Sequence, residues 1–410
     1  MKISLINSFY PPYELGGVTV AVRILAEALK KRGHDVFIIT TGPYEGLKSL
    51  KPRIRFENGI KVYYFYPIQP NIPYYTNKIS NLSRIFFFLF NFCNKHAYFT
   101  IKNILKKEKP DIVNSHETIF LSSEFYSVAR SLELFCVHMI HSISLLFVMN
   151  NLPTLDKIAG IKYPLIGYNC NLYGKISKIY RTINKFIIGS PKIVIFPSKA
   201  LLEKYNEYGF FPNSKKVVFP HIFEIPKLKQ TKNKNKQIFD IMYAGGTQRY
   251  KGGQTLIQAF KQIPGKILRL HIFGGGKDEK YFKDLAKGDE RIKFYGQIEN
   301  KKLKKVYDSM NLLVVPSLCF DNFPVVILES FISRIPVIAS NIGGIPEMVK
   351  EGYNGWLFEP GNVEQLKKLI ERAIKNKKKL REIGRNGYKW VKTLDYRTRI
   401  KELEEIYKGV

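Results

Sequence analysis

The segment 312–347 constrains the fold most strongly, because strand and helix patterns alternate within a short length. The apolar run Leu312–Val315 has the length and composition of a buried strand. After Pro324, a residue suited to the first position of a helix, apolar side chains recur at helical spacing. A second short strand is predicted at 336–339. A strand, a helix and a second strand in this order predict a βαβ unit with a parallel sheet.

Two carboxylates flank the start of the helix predicted after Pro324. Asp321 precedes the helix, and Glu329 follows Asp321 by eight positions, about one turn inside the helix. The first N–H groups of a helix and its dipole attract anions, and carboxylates accept hydrogen bonds from sugar hydroxyls. The segment therefore predicts a pocket for a molecule with phosphates at one end and hydroxyls at the other.

The same alternation occurs in two other parts of the chain. Near the start, a strand over 2–7 leads to Gly16 and Gly17 and then to a helix. The second half restarts with a strand over 239–244, followed by the sequence GGTQRYKGG. Between the halves lies KLKQTKNKNKQ, whose five lysines and lack of aromatic residues predict a solvated linker. Two α/β halves are expected.

Asp321, Asn322, Phe323, Pro324 and Glu329, followed by PVIAS and GGIPE, resemble the signature of retaining glycosyltransferase family 4. The family pattern is Glu-x7-Glu, and Asp321 replaces the first glutamate here with the spacing kept. The resemblance implies an α/β chain with the GT-B fold. In that fold two Rossmann-like, doubly wound domains face a central cleft, and a C-terminal helix crosses back to the first domain.

The predicted domains follow from this resemblance and from the linker. Residues 1–225 are expected to form an acceptor-binding Rossmann-like domain, and residues 226–237 the lysine-rich linker. Residues 238–388 are expected to form the nucleotide-sugar-binding domain, and residues 389–410 the helix that packs back on the first domain.

Glycines with Arg249 and Lys251 at a strand-to-helix turn predict a phosphate cradle, because they combine free N–H groups, conformational freedom and positive charge. The resemblance implies that Lys251 holds the donor diphosphate. Relatives usually carry arginine where this chain has Gly246, and Arg249 is the expected substitute. His116 follows a predicted strand ending at Ser115, the edge where open α/β sheets bind ligands.

The residues that the resemblance assigns to the site fall into two groups. The expected catalytic residues are His116, Asp321 and Glu329. The expected donor-binding residues are Gly16, Gly17, Arg249, Lys251, Gly275, Asn322, Phe323, Pro324, Val325 and Glu329. By the same resemblance, Glu329 accepts from ribose hydroxyls, Asp321 contacts the donor sugar and His116 positions it. His141 is expected only as a pocket wall, and His221 is given no role.

The implied activity is retaining transfer of a sugar from a UDP- or GDP-sugar to a glycan or a lipid-linked acceptor. No Asp-x-Asp pair occurs in the sequence, so no divalent metal and no cofactor are expected. The sequence lacks the Gly-x-Gly-x-x-Gly fingerprint of dinucleotide-dependent dehydrogenases, which argues against that class of enzyme. Two alternatives remain open: a non-catalytic glycan- or nucleotide-binding relative, and a nucleotide-sugar epimerase.

Lysine and arginine number 66 against 34 aspartate and glutamate residues, a formal net charge of +32. Such a charge favours polyanionic partners, but no nucleic-acid recognition motif accompanies it. The aromatic and basic segment 79–99 is interpreted either as a membrane-surface helix or as a core helix. No signal peptide is evident, and the four scattered cysteines fit a reducing compartment. A cytoplasmic protein is expected, with membrane association at the inner face left open.

Overall fold

The computed structural model describes residues 1–13, 16–69, 91–147, 170–226, 238–298 and 300–409. These residues form two compact units. Within the described residues, the first unit comprises 1–147, 170–224 and 396–409, and the second comprises 225–395. Most of the predicted linker at 226–237 and most of the aromatic segment 79–99 lie outside the described residues.

The first unit is built on an eight-stranded sheet in the order β3-β4-β2-β1-β5-β6-β7-β8. Its strands are β1 (Lys2–Ile6), β2 (Asp35–Thr41), β3 (Arg53–Glu57), β4 (Ile60–Phe65), β5 (Ile112–Ser115), β6 (Phe135–Met139), β7 (Ile193–Phe196) and β8 (Lys215–Val218). The edge strand β3 runs antiparallel to β4, and the other pairs are parallel. The interior strands β5 and β7 are buried along their whole length, and in β7 the sequence is a continuous apolar run.

Helices cover this sheet, and two of them begin at polar N-caps. The helices are α1 (Gly16–Lys31), α2 (Lys95–Glu108), α3 (Phe125–Ser131), α4 (Cys170–Ile188) and α5 (Lys199–Glu207), with a short 3-10 helix at Leu47–Leu50. The side chain of Asn94 accepts from the N–H of Ala97 at the start of α2, and Ser198 accepts from Leu201 at the start of α5. Each cap satisfies an N–H group that the helix itself cannot pair.

The second unit has a six-stranded, all-parallel sheet in the order β11-β10-β9-β12-β13-β14. Its strands are β9 (Phe239–Ala244), β10 (Leu268–Phe273), β11 (Ile292–Gly296), β12 (Leu312–Val315), β13 (Val337–Ser340) and β14 (Gly355–Phe358). Its helices are α6 (Gly253–Lys261), α7 (Glu279–Ala286), α8 (Asn300–Tyr307), α9 (Val325–Ile332), α10 (Ile345–Met348), α11 (Val363–Lys375) and α12 (Lys377–Lys392), and a 3-10 turn covers Arg249–Lys251.

The last helix, α13 (Tyr396–Lys408), belongs to the first unit and packs on α1. Glu404 on α13 accepts hydrogen bonds from Arg32 at 3.0 and 3.1 Å, and lies 2.9 Å from His34 Nε2. The hydroxyl of Tyr407 is hydrogen-bonded to Asn114 on β5. Polar contacts therefore attach this helix to the strand that ends in the predicted site.

Two local predictions differ from the structure. The predicted boundary at 389 lies inside α12, and the chain passes to the first unit at Tyr396. Pro324 is the N-cap of α9 rather than its first helical residue. Elsewhere in this unit, Asn362 caps α11 by accepting from Gln365 N–H, and the Gln365 side chain accepts from Glu359 N–H.

Each sheet has one position where the chain reverses its direction of winding. In the first unit β1 lies between β2 and β5, and in the second β9 lies between β10 and β12. Loops that leave neighbouring strands at such a switch point diverge and open a crevice at the carboxyl ends of the strands. The expectation of two Rossmann-like α/β domains is confirmed.

Candidate functional site

Two glycine loops approach each other closely at the switch point of the second unit. Gly274, after β10, has a φ of +117°, and a Cβ there would lie 2.0 Å from the carbonyl oxygen of Gly245. Gly252, before α6, has a φ of +74°, and a Cβ there would lie 1.7 Å from the carbonyl oxygen of Pro316. Only glycine fits these positions, because the backbones of neighbouring loops occupy the space of a side chain.

Lys251 lies in this crevice and forms an ion pair with Asp321. Its Nζ is 2.8 Å from Asp321 Oδ2, and the Ser317 hydroxyl donates to the same oxygen at 3.0 Å. Burial lowers the pKa of Lys251, but the Asp321 carboxylate more than offsets this, and the net pKa is raised. The lysine is therefore a cation at neutral pH, with about a third of its side chain (34%) still exposed.

The GGIPE segment holds Asp321 in place through its backbone. Gly344 N–H donates to the carbonyl oxygen of Asp321 at 3.0 Å. Gly343 has a φ of +60°, and a Cβ there would lie 2.3 Å from the same carbonyl oxygen. The GGIPE segment therefore fixes the DNFP loop, which carries the Asp321 carboxylate. This contact is a physical reason for the two segments to occur together.

Arg249 and Lys251 have different partners, although only two positions separate them. The Arg249 guanidinium stacks on the ring of Tyr281 in α7, 4.0 Å from the ring centroid, and its backbone N–H donates to Asp278 at 3.0 Å. Gly246 leaves no room for a larger residue without displacing Gln248, whose Oε1 would lie 2.0 Å from a Cβ. The structure therefore pairs Lys251 with the carboxylate loop and Arg249 with α7.

The cradle also contains a buried hydroxyl with an unfilled hydrogen-bonding capacity. Thr247 Oγ1 has no hydrogen-bond partner within the parts of the chain that are described. The N–H of Thr247 donates to the carbonyl of Gly275 at 3.2 Å, which joins the two glycine loops. Gly275 itself has space beside it, since the nearest atom to a Cβ there is Glu279 Oε2 at 3.5 Å. A buried polar atom of this kind fits a cradle for an anion.

Glu329 lies on α9 and is held by a residue that sequence reasoning missed. The buried hydroxyl of Tyr307, at the end of α8, donates to Glu329 Oε2 at 2.9 Å. Burial raises the pKa of Glu329, and the bond from Tyr307 counteracts part of that increase. Asn322, Phe323 and Pro324 are buried just before α9, and Val325 begins the helix. No sequence signal connects Tyr307 to this carboxylate, because the two residues belong to different helices.

In the first unit, His116 immediately follows β5 and is part of a row of three histidines. His116 Nδ1 lies 3.0 Å from His141 Nε2, and His141 Nδ1 lies 3.3 Å from His221 Nε2. Gly16 and Gly17 form the first turn of α1 in the same unit. Within the described residues no group of three or more His, Cys, Asp or Glu side chains has an arrangement that could hold a metal. The three rings are linked to one another in a chain of two hydrogen bonds.

Burial keeps these histidines neutral. It lowers the pKa of His116 to about 3, with further lowering by His138 and His221, and it lowers the pKa of His221 to about 4. His138, which is hydrogen-bonded to Ser115 and Tyr126, has a pKa lowered to about 3 for the same reason. Beside them, burial raises the pKa of Glu117 to about 7, although bonds from Ile119 and Ser144 oppose that shift.

A cavity opens beside His116 at the ends of β5 and β6. It is small and partly open to solvent. Its wall carries many groups that can hydrogen-bond to hydroxyls, among them His116, Glu117, Thr118, Tyr126, His141 and Ser144. His116 is only 3% exposed, and its Nε2 has no hydrogen-bond partner within the described part of the chain. An unpaired, buried ring nitrogen in such a wall suits a polar ligand.

We expect acid to destabilise the first unit through its neutral histidines. An unfolded histidine has a pKa near 6.5, so it binds a proton below that pH. The buried rings of His116, His138 and His221 remain unprotonated there, because their pKa values are lower. Stability should fall as the pH drops from about 6.5 toward 3. At pH 5 each of these rings lowers the free energy of unfolding by about 1–2 kcal/mol relative to neutral pH. Melting curves at pH 7.5 and 5 should show a large loss for wild type and a smaller one for His221→Gln; equal losses would contradict the neutral rings.

Among the residues that the structure describes, no helix combines the length and apolarity that crossing a bilayer requires.

Two family models together cover most of the chain. The one described as glycosyltransferase family 4 matches residues 15–224, and the one described as glycosyl transferases group 1 matches residues 224–390. An uncharacterized glycosyltransferase of Methanocaldococcus jannaschii is 26% identical over 398 residues, which cover 91% of this chain and 89% of that relative.

Solved structures show a similar fold. Sucrose-phosphate synthase from Thermosynechococcus elongatus aligns with a TM-score of 0.72 at 20% identity, over 100% of this chain and 98% of that chain. The Anabaena protein HepE, in complex with UDP and glucose, aligns with a TM-score of 0.68 at 17% identity over 100% of both chains. At these identities the likeness concerns the fold alone.

Proposed function

Because this chain belongs to glycosyltransferase family 4, we propose that it transfers a sugar, with retention, from a UDP- or GDP-sugar to a glycan or a lipid-linked acceptor. The observation that carries the proposal is the cluster of Lys251, Asp321 and Ser317 beside two glycine loops at a switch point. The complex of the fold relative HepE with UDP and glucose supports a nucleotide donor. The net charge of +32 is consistent with an anionic acceptor or lipid surface.

In the proposed reaction, the bond between the anomeric carbon and the β-phosphate oxygen breaks. Negative charge collects on the departing diphosphate while the sugar ring becomes oxocarbenium-like. The acceptor oxygen forms the new bond on the same face, and its proton passes to the departing phosphate oxygen. Lys251 is a fixed cation at this point, so it stabilises the charge that develops in the transition state.

Asp321 has two tasks in this account. Its Oδ2 accepts hydrogen bonds from both Lys251 and Ser317. Its Oδ1 is then the oxygen proposed to accept a hydrogen bond from a hydroxyl of the donor sugar. The side chain is one methylene shorter than the family glutamate, and the Ser317 bond and the Gly344 bond to its carbonyl fix its position. The cation is therefore oriented before the donor arrives, which lowers the cost of binding.

Glu329 is proposed to bind the ribose of the donor. Tyr307 holds Oε2, so Oε1 is the oxygen that can accept bonds from the ribose hydroxyls. Gly275, Asn322, Phe323, Pro324 and Val325 are proposed to complete the donor site with their backbone atoms. Arg249, stacked on Tyr281, and the first turn of α1 at Gly16 and Gly17 are proposed donor contacts as well. His116 is proposed to position the transferred sugar.

We expect Tyr307→Phe to weaken donor binding about tenfold, because Glu329 loses the bond that orients its carboxylate. Isothermal titration with UDP and GDP measures the change. Tyr353→Phe is the matched control, since Tyr353 belongs to the same unit and is 44% exposed. An unchanged affinity in Tyr307→Phe would contradict the proposal that Glu329, oriented by Tyr307, binds the ribose.

The proposed function is tested with a panel of UDP- and GDP-sugars. Release of free nucleotide is measured with and without EDTA, and with and without a membrane extract that supplies acceptors. We expect release from at least one donor, increased by the extract and unchanged by EDTA. Donor binding without release by any donor would favour the non-catalytic relative, and interconversion of the sugar without release would favour an epimerase.

A further inference from the structure

In the first unit, His141 and His221 have no part in the proposed chemistry. They are linked to His116 through two consecutive hydrogen bonds, of 3.0 and 3.3 Å. His221 is 8% exposed, and the row passes apolar side chains that include Leu25, Met139 and Phe219. In such surroundings a hydrogen bond between side chains is strengthened, and an unmade one is costly.

The row has a property that no single histidine has. A neutral imidazole carries one N–H and one lone pair, so His141 must donate in one of its two bonds and accept in the other. Both bonds therefore run in the same direction along the row. If they run toward His221, then His116 Nε2 is an acceptor; if they run toward His116, then His116 Nε2 is a donor. The tautomer of His116 is tied to that of His221.

The free end of the row is the atom that meets the cavity. His116 Nε2 is buried and has no partner in the described residues, and His116 lines the hydroxyl-rich cavity at the ends of β5 and β6. A sugar hydroxyl can donate or accept a hydrogen bond, but in one bound position it does only one of these toward His116 Nε2. A histidine with a mixture of tautomers would present the wrong group part of the time.

We propose that His141 and His221 are positioning residues, which hold His116 in one tautomer and one orientation so that its Nε2 meets a hydroxyl of the transferred sugar. The inference rests on the proposed function for the identity of that ligand. The fixed tautomer itself is a property of the free protein and does not depend on any activity.

Two substitutions at His221 separate the roles of its ring and of its nitrogen. The atom that faces His141 is Nε2, and the side-chain amide of glutamine places a polar group at a similar distance from the backbone. His221→Gln therefore retains a partner for His141, while His221→Phe keeps a ring and removes the partner. If the row acts through hydrogen bonding, the phenylalanine variant is defective and the glutamine variant is restored.

The test uses the full chain labelled with ¹⁵N-histidine, whose seven histidines give a resolvable set of long-range ¹H–¹⁵N correlations. The signals of His116 are assigned from their loss in His116→Gln. We expect His116 in wild type and in His221→Gln to show a single neutral tautomer, and His116 in His221→Phe to show a mixture. A mixture in wild type, or a tautomer unaffected by His221→Phe, would overturn the proposal.

Turnover provides the second readout. With the donor that the panel identifies, kcat should fall about tenfold in His221→Phe while KM changes less than threefold, and His221→Gln should recover most of the rate. If no donor is turned over but the tautomer responds as described, the proposed function fails and the positioning row stands. If kcat is the same in wild type and His221→Phe, the row does not position His116 for transfer.

Discussion

Replacing Lys251 with methionine is expected to lower the rate of sugar transfer by about 10²–10³, because the diphosphate loses the cation that faces it in the transition state. Methionine keeps much of the side-chain volume, so the glycine loops retain their packing. Lys251 is held 2.8 Å from Asp321 and is fully protonated at neutral pH. The loss should therefore appear in kcat and in kcat/KM over the whole neutral range. Initial rates of nucleotide release measure it.

Two controls separate this loss from a fold defect. Lys379→Met removes a lysine of the same unit from an exposed pair with Glu382, and such surface pairs contribute little to stability; its rate should equal that of wild type. The double variant Lys251→Met with Asp321→Asn removes the uncompensated carboxylate. It should regain melting temperature but not turnover. Recovery of turnover in the double variant would show that Lys251 only neutralises Asp321.

Gly252→Ala is expected to damage both the stability of the second unit and its use of the donor. Alanine at a φ of +74° costs about 1–2 kcal/mol. In addition, its Cβ would lie 1.7 Å from the Pro316 carbonyl oxygen, so one loop must move. That movement separates Lys251 from the Asp321 loop, and a misplacement of about 1 Å can cost 10²-fold in rate. Melting temperature and kcat/KM report the two effects.

Gly352→Ala is the matched control for this substitution. Gly352 has a φ of +71° in the same unit, but no atom lies within 4 Å of the position of a Cβ. It carries the backbone penalty without the collision, so its melting temperature should fall modestly and its donor use should remain that of wild type. Equal losses in both variants would mean that the close approach to Pro316 has no role in the site.

Some strands of both units could be predicted from the sequence because strands of parallel sheets are buried on both faces and are rich in apolar residues. Leu312–Val315 is a continuous apolar run, Phe239–Ala244 is interrupted only by Asp240, and both strands have the predicted bounds. Lys251 and Asp321 each lie in a loop that follows such a strand, and Glu329 lies one turn inside the helix after it; their part in a donor site stays a prediction. Local pattern was sufficient where sequence neighbours are also neighbours in space.

The partners of these residues could not be predicted. Tyr307 on α8 is hydrogen-bonded to Glu329 on α9, and the Arg249 guanidinium stacks on Tyr281 of α7, beyond the intervening helix α6. His221 was given no role, yet it is hydrogen-bonded to His141 from a position 80 residues away. These contacts depend on sheet order and helix packing, which bring distant segments together. The residue pattern of a single segment therefore does not predict these contacts.

A crystal structure of the full chain with bound UDP- or GDP-hexose, chosen by the donor panel, tests the central claim most directly. The account predicts that the diphosphate lies within hydrogen-bonding distance of Lys251 Nζ and that the ribose hydroxyls contact Glu329. A donor bound in the second unit away from both side chains, or bound only in the first unit, would contradict it.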